Sequence, residues 1–259
     1  MYARLFQAGV LLWRQDVLAS YAETMSTTAP SAFRKWYPVT YDFGLIEAPV
    51  DVVAAAYKTW WVNLDKPVEE ARLNGSLDEM FSQLEPLSMA MNRAMFLPTA
   101  AGWTAFFRNG ILGSDPSSAM PVLAKQLDVR AMRICDSGPR KKYPAVIWEF
   151  YDPSETRDQV HVSRRSIAAA NDGGRWVFEV SGTAFPFENI ARYNARRKRD
   201  RFDRDLLLTY LANFGIDSLD DRLLAPALDQ GGVLISQPYW DHVKSFSLDQ
   251  VTAGVPWQR

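Results

Sequence analysis

Between residues 129 and 183 four strand-like segments follow one another with no helical pattern between them: Val129–Cys135, Ala145–Tyr151, Val160–Ala168 and Arg175–Thr183. Turn-forming pieces separate them, notably Ser137-Gly138-Pro139 and Asn171-Asp172-Gly173-Gly174. Parallel neighbours would need long crossovers that these links do not supply, so the four segments are expected to pair antiparallel as a meander. Whatever else the chain does, its fold must be built around that sheet.

The flanking segments are mixed. Val39, Tyr41, Phe43 and Leu45 alternate with Thr40, Asp42 and Gly44, which predicts a strand with one buried face. A helix should follow, because Pro49 suits a first turn, Asp51 suits the N-terminal dipole, and Val53, Ala56, Tyr57, Trp60 and Trp61 recur at helical spacing. Residues 76–101 fit either a strand or a short helix: Leu84 to Met95 is apolar without a clean period, and Pro86 interrupts it. Trp103 to Arg108 reads as a strand and Asn109-Gly110, residues that tolerate positive φ, as a tight turn. Ser117 or Ser118 then caps a helix whose apolar stripe is Met120, Leu123, Ala124 and Leu127.

Beyond the meander a helix is expected from about Glu188 to Phe214, ended by Gly215, and a short one near Ser218, limited by Pro226. This order predicts an α+β fold: an antiparallel β-sheet meander with flanking helices and a C-terminal helical segment. Residues 1–38 read as an N-terminal helix or arm and 39–259 as a single α+β domain.

Composition narrows the function. The chain of 259 residues carries 9 Trp, 10 Tyr and 14 Phe, enough large apolar side chains for a sizeable core. With 29 basic and 30 acidic residues it has no global field to draw nucleic acid or an anionic membrane, so neither is expected as a partner. Cys135 is the only cysteine, which excludes an internal disulfide, and with His161 and His242 it makes no Cys/His zinc cage. Carboxylate metal sites stay open. The apolar run Leu5–Trp13 is short, lacks a convincing cleavage site, and no other run is long enough for a bilayer, so a cytoplasmic location is expected.

Signatures of chemistry are weak. Gly110-Ile111-Leu112-Gly113-Ser114-Asp115 follows a strand and precedes a helix, as phosphate loops do, but it lacks the third glycine of a dinucleotide site and the Gly-Lys-Ser/Thr of a P-loop. The expectation is that Gly110 turns the chain and binds no phosphate. Cys135, inside an apolar strand, reads as an inert buried thiol, His161 as a structural histidine and His242 as an exposed one. Glu149 interrupts Val146-Ile147-Trp148-Glu149-Phe150-Tyr151 and is ascribed to a solvated sheet face. Asp217, Asp220 and Asp221 suit helix capping better than metal. No catalytic residue, cofactor or metal ligand is assigned, which favours a binding role over an enzymatic one.

The strongest charge feature runs from Arg192 to Asp205, with seven basic and three acidic residues in fourteen positions. On one helix Asp200–Arg204, Arg196–Asp200 and Arg199–Asp203 would form ion pairs. An ion-paired solvated face explains the run most simply, an acidic protein partner is next, and nucleic acid is third because the aspartates repel phosphate. Arg196, Arg197, Arg199, Arg201 and Arg204 are the candidate partner-binding residues.

Two family resemblances add to this. Trp103-Thr104-Ala105-Phe106-Phe107-Arg108-Asn109-Gly110, the following Gly113-Ser114-Asp115, the helix and meander, then Phe187-Glu188, Tyr193 and Arg199-Asp200-Arg201-Phe202 resemble bacterial immunity-type proteins of polymorphic toxin systems, over about residues 100–216. That resemblance implies a non-enzymatic protein that neutralises a cognate toxin by direct contact. Val39–Glu47 followed by Ala48-Pro49-Val50-Asp51-Val52-Val53 resembles the opening of helix-grip domains, and implies instead a hydrophobic small molecule held in an apolar cavity. The helix at 118–127 departs from the usual helix-grip order.

Overall fold

The computed structural model describes residues 31–138, 143–156, 163–238 and 243–257. His161, His242 and the apolar run at 5–13 lie outside the described residues. In chain order the elements are α1 (Ala32–Lys35), α2 (Tyr37–Thr40), β1 (Asp42–Ile46), α3 (Val50–Val62), β2 (Glu69–Leu73), α4 (Leu77–Ser82), β3 (Leu87–Ser88), β4 (Arg93–Pro98) and β5 (Thr104–Arg108). They continue with α5 (Ala119–Leu127), β6 (Ala131–Asp136), β7 (Ala145–Tyr151), α6 (Pro153–Thr156), β8 (Arg165–Asp172), β9 (Arg175–Gly182), α7 (Arg204–Leu211), β10 (Gly232–Ser236), β11 (Ser245–Phe246) and α8 (Leu248–Thr252).

The α+β fold is present, with a nine-stranded sheet in the order β2-β10-β4-β5-β1-β6-β7-β8-β9. Every neighbouring pair is antiparallel, and β6 to β9 form the expected meander. The third strand of that meander lies later than its pattern predicted, over Arg165–Asp172.

Alternation of side chains gives the sheet two covered faces. On one, Ile46, Phe96, Phe106, Ala131 and Ile235 pack under Val53 and Tyr57 of α3 and Met120 and Leu123 of α5. On the other, Phe43, Leu45, Phe107, Ile134, Trp148 and Phe150 form the larger core with Phe33, Trp36, Phe81 and Tyr210. β1 therefore lies at the sheet's centre and is buried throughout, rather than on one face as its alternation suggested. Val39 and Tyr41 are not in that strand: Tyr37–Thr40 is a helical turn, and the strand starts at Asp42.

Helix α3 starts where Pro49 and Asp51 placed it. The undecided stretch resolves into α4, held by a capping box between Ser76 and Glu79, followed by β3 and β4. The end of the expected arm is drawn into the core, since Asp221 accepts hydrogen bonds from Ser31 Oγ and from the Ala32 and Phe33 amides. That carboxylate thus caps α1 from 190 positions away.

Residues Glu188 to Phe214 do not form one helix. Tight turns at Ile190–Asn194 and Lys198–Asp200 precede α7, and a further one at Ala212–Phe214 follows it. Local caps explain the breaks: Asn189 accepts from the Arg192 amide and Asp203 from the Leu206 amide, offering the backbone partners that compete with a continuous helix. Gly215 ends the segment in the left-handed region (φ 78°), as expected. A buried clamp holds the segment to β8, where Arg165 donates to Glu188 Oε1 (2.9 Å) and Oε2 (2.5 Å). The Tyr193 hydroxyl donates to the same Oε2 (2.7 Å) and lies 3.0 Å from that of Tyr210.

Candidate functional site

Helix α5 packs on β1, β6 and β7. It sits very close at Gly44, where a Cβ would stand 2.4 Å from the Met120 sulfur. Past the helix, the same face of the meander is floored by small side chains. The register aligns Cys135, Ile147, Ala168 and Glu179 in one row across β6 to β9, and Ala145, Ala170 and Val177 in the next. These rows floor an open cavity of about 410 Å³, whose other walls include Tyr41, Met89, Met91, Tyr143 and the loop Gly110–Gly113. A volume of this order suits a small organic molecule.

One end of the floor is charged. Arg133 on β6 donates from Nε to Asp42 Oδ1 (2.9 Å) and from Nη2 to Oδ2 (2.8 Å), a two-pronged pair with side chains only 5% and 7% exposed. Glu149 stands opposite Arg133 in the register, its Oε2 3.6 Å from Nη1, and accepts a hydrogen bond from the Tyr151 hydroxyl (3.1 Å). All three charged side chains line the cavity.

Burial pushes the Asp42 carboxyl above its ordinary range, and the Arg133 charge and hydrogen bonds pull it part of the way back. Burial works against the Arg133 charge, but Asp42 and then Glu149 more than offset it and hold the guanidinium protonated. The Cys135 thiol, also buried, is pushed well up by desolvation, so it stays protonated and unreactive near neutral pH.

Two readings of the sequence need correction here. Glu149 does not face solvent: it is buried, because Arg133 and Tyr151 satisfy it inside the sheet face. Gly110 is required for close approach and not for a left-handed φ, since a Cβ there would stand 1.9 Å from the Gly113 carbonyl oxygen. Asn109 is fully buried, its side chain donating to Pro86 O and accepting from the Arg93 amide.

The five candidate arginines sit apart from this cavity. Their segment packs on the opposite face of the meander, where Arg201 lies over the Phe178 ring. With the helix broken, the ion pairs differ from those expected: Arg197 pairs with Asp200 (2.5 Å), Arg199 reaches the same carboxylate (3.6 Å), and Arg204 pairs with Asp136 of β6. Arg196, Arg197, Arg199 and Arg204 are exposed. Arg201 is half-buried and spends its Nε on the Ala195 carbonyl.

Asp220 caps the turn at Asp221–Leu223, as its position predicted, whereas Asp221 caps the distant α1 and not a helix of its own segment. Among the described residues no group of three His, Cys, Asp or Glu side chains is arranged to hold a metal ion. A second cleft of about 450 Å³ beside the start of α3 has only the exposed Asp51–Arg72 pair for charge. No helix among the described residues is long and apolar enough to cross a membrane. No protein-family model, curated protein or solved structure matches the chain.

Sequence reasoning missed Asp42 and Arg133 as site residues. The signal was a lone charge inside an otherwise apolar strand, repeated in Asp42-Phe43-Gly44-Leu45, Met132-Arg133-Ile134-Cys135 and Trp148-Glu149-Phe150. Three such charges on three adjacent strands satisfy one another. Ala168 and Ala170, alternate residues of one strand, likewise marked a strand face with room above it.

Proposed function

We propose that this chain is a non-enzymatic binding protein that holds a small, largely apolar molecule against the helix-bearing face of its meander. The observation that carries the reading is the cavity of about 410 Å³, floored by Ala145, Ile147, Ala168, Ala170 and Val177 and bounded by a buried charged cluster. Such a site combines apolar area for affinity with a few fixed polar groups for orientation. Binding is favoured over turnover because Asp42 and Arg133 are committed to each other and the Cys135 thiol is held protonated. The experiment is a fluorescence titration with the neutral apolar probe N-phenyl-1-naphthylamine. Saturable enhancement at one probe per chain is expected, and a response no larger than that of an unrelated protein overturns the reading.

A second reading concerns the opposite face. The resemblance to immunity-type proteins, together with the exposed Arg196, Arg197 and Arg199, favours contact with an acidic toxin. For either role a cytoplasmic location in a bacterial cell is part of the proposal. The test of the second is whether the product of a toxin gene beside its own binds the chain, with an on-rate that falls on raising the salt and in Arg196→Glu/Arg199→Glu. Unchanged association would leave the arginines as a solvated face.

A further inference from the structure

We infer that the molecule held in the cavity is an amphiphilic cation, an apolar body carrying a protonated amine that is received by Glu149. The inference rests on the cavity reading and adds the chemical class of the ligand.

Charge is the first ground. Among the described residues the cavity is lined by five carboxylates, Asp42, Asp115, Glu149, Asp172 and Glu179, against a single guanidinium, that of Arg133. Arg133 is not available as an anion receptor, because Asp42 takes two of its donors in ideal geometry and Glu149 stands beside a third. Among the described lining residues an anionic ligand would therefore meet the buried Glu149 and the half-buried Asp115 with no second cation beside them, while Asp172 and Glu179 are exposed and screened.

Acceptor capacity is the second. Asp42 spends both oxygens on Arg133, whereas among the described residues both contacts of Glu149 fall on Oε2. A carboxylate has room for about four donors, so Oε1 can take a further N–H. With Asp42 and Arg133 offsetting each other, Glu149 brings the buried cluster to a net charge of −1, which a bound ammonium would neutralise.

The third is layout. Glu149 lies in the row next to Ile147 and Ala168 on the cavity floor, with Ala170 and Val177 one row further along. A ligand lying along the strands places its head at Glu149 and its body over the alanines. A metal ion is a poor alternative occupant, since no three ligating side chains converge among the described residues.

The test compares octylammonium, octan-1-ol and octanoate, which share one tail, as displacers of N-phenyl-1-naphthylamine from the whole chain. Octylammonium should displace the probe at a concentration roughly tenfold below that of the alcohol, the step expected between a charge-assisted and a neutral hydrogen bond, with octanoate weakest. In Glu149→Gln the ratio of amine to alcohol should shrink to within about threefold. If that variant fails to fold by thermal melt, the ranking on the unaltered chain decides alone. Octanoate equal to or better than octylammonium overturns the inference while leaving the cavity reading standing. Failure of the neutral probe to bind removes the cavity reading, and this inference with it.

Discussion

Replacing Arg133 with Met keeps most of the buried stem and deletes only the charged fork. Asp42 then loses two hydrogen bonds of 2.9 and 2.8 Å, and Glu149 loses the cation 3.6 Å from its Oε2. Charge-assisted hydrogen bonds are worth about 1.5–3 kcal/mol each, and breaking a buried pair by removing one partner typically costs about 3–5 kcal/mol. The variant should therefore lose about 3–5 kcal/mol near pH 8, or roughly 6–20 °C in Tm for a chain of this size.

The pH dependence has a definite sign. Burial already raises Asp42, and removing Arg133 takes away the opposing pull, so its folded-state pKa rises further. A carboxyl raised on folding contributes stability that is complete below its unfolded value, about 3.9, and is lost as pH rises through the folded value. The deficit of Arg133→Met should thus be smallest at about pH 4–5 and grow towards pH 8. Asp42→Leu/Arg133→Met, which removes both charges of the pair, should recover much of the loss. The assay is urea unfolding followed by tryptophan fluorescence at both pH values, with the slope checked for constancy. A loss under about 1 kcal/mol that does not change with pH would refute the buried network.

Two further perturbations test the walls of the cavity. Gly110→Ala forces a Cβ to within 1.9 Å of the Gly113 carbonyl oxygen, and should cost about 1–3 kcal/mol or more by urea unfolding; a loss within about 0.5 kcal/mol would show that the loop yields freely. The Cys135 thiol, buried and pushed up by desolvation, should react with a disulfide reagent at pH 8 about 100-fold more slowly in the folded than in the unfolded chain, and equal rates would contradict its placement.

What the sequence made legible was local. β7 was readable at both ends because turn-forming residues bracket Ala145–Tyr151, and α3 because Pro49 and Asp51 mark its start. The cluster was hidden because Asp42 and Arg133 lie 91 positions apart, and alternation alone cannot tell a side chain that meets water from one that meets a charged neighbour on the next strand. Glu149 shows the consequence: its strand pattern predicted exposure, and pairing across β6 and β7 buries it. From Glu188 to Phe214 one helix was expected, but Asn189 and Asp203 cap new starts inside it. The ion pairs expected at helical spacing were lost with the helix, and Arg204 found Asp136, which only the fold brings near.

The central claim is that the cavity above Ala168 is where a small apolar molecule binds, and filling that space tests it most directly. Ala168→Trp places an indole on the cavity floor, whereas Ala71→Trp puts the same ring on the exposed strand β2. N-phenyl-1-naphthylamine titrations of both should be run beside thermal melts. The account predicts that Ala168→Trp weakens the probe at least about tenfold while remaining folded, and that Ala71→Trp binds it like the unaltered chain. Equal probe affinity in a folded Ala168→Trp would show that binding lies elsewhere and would contradict the account.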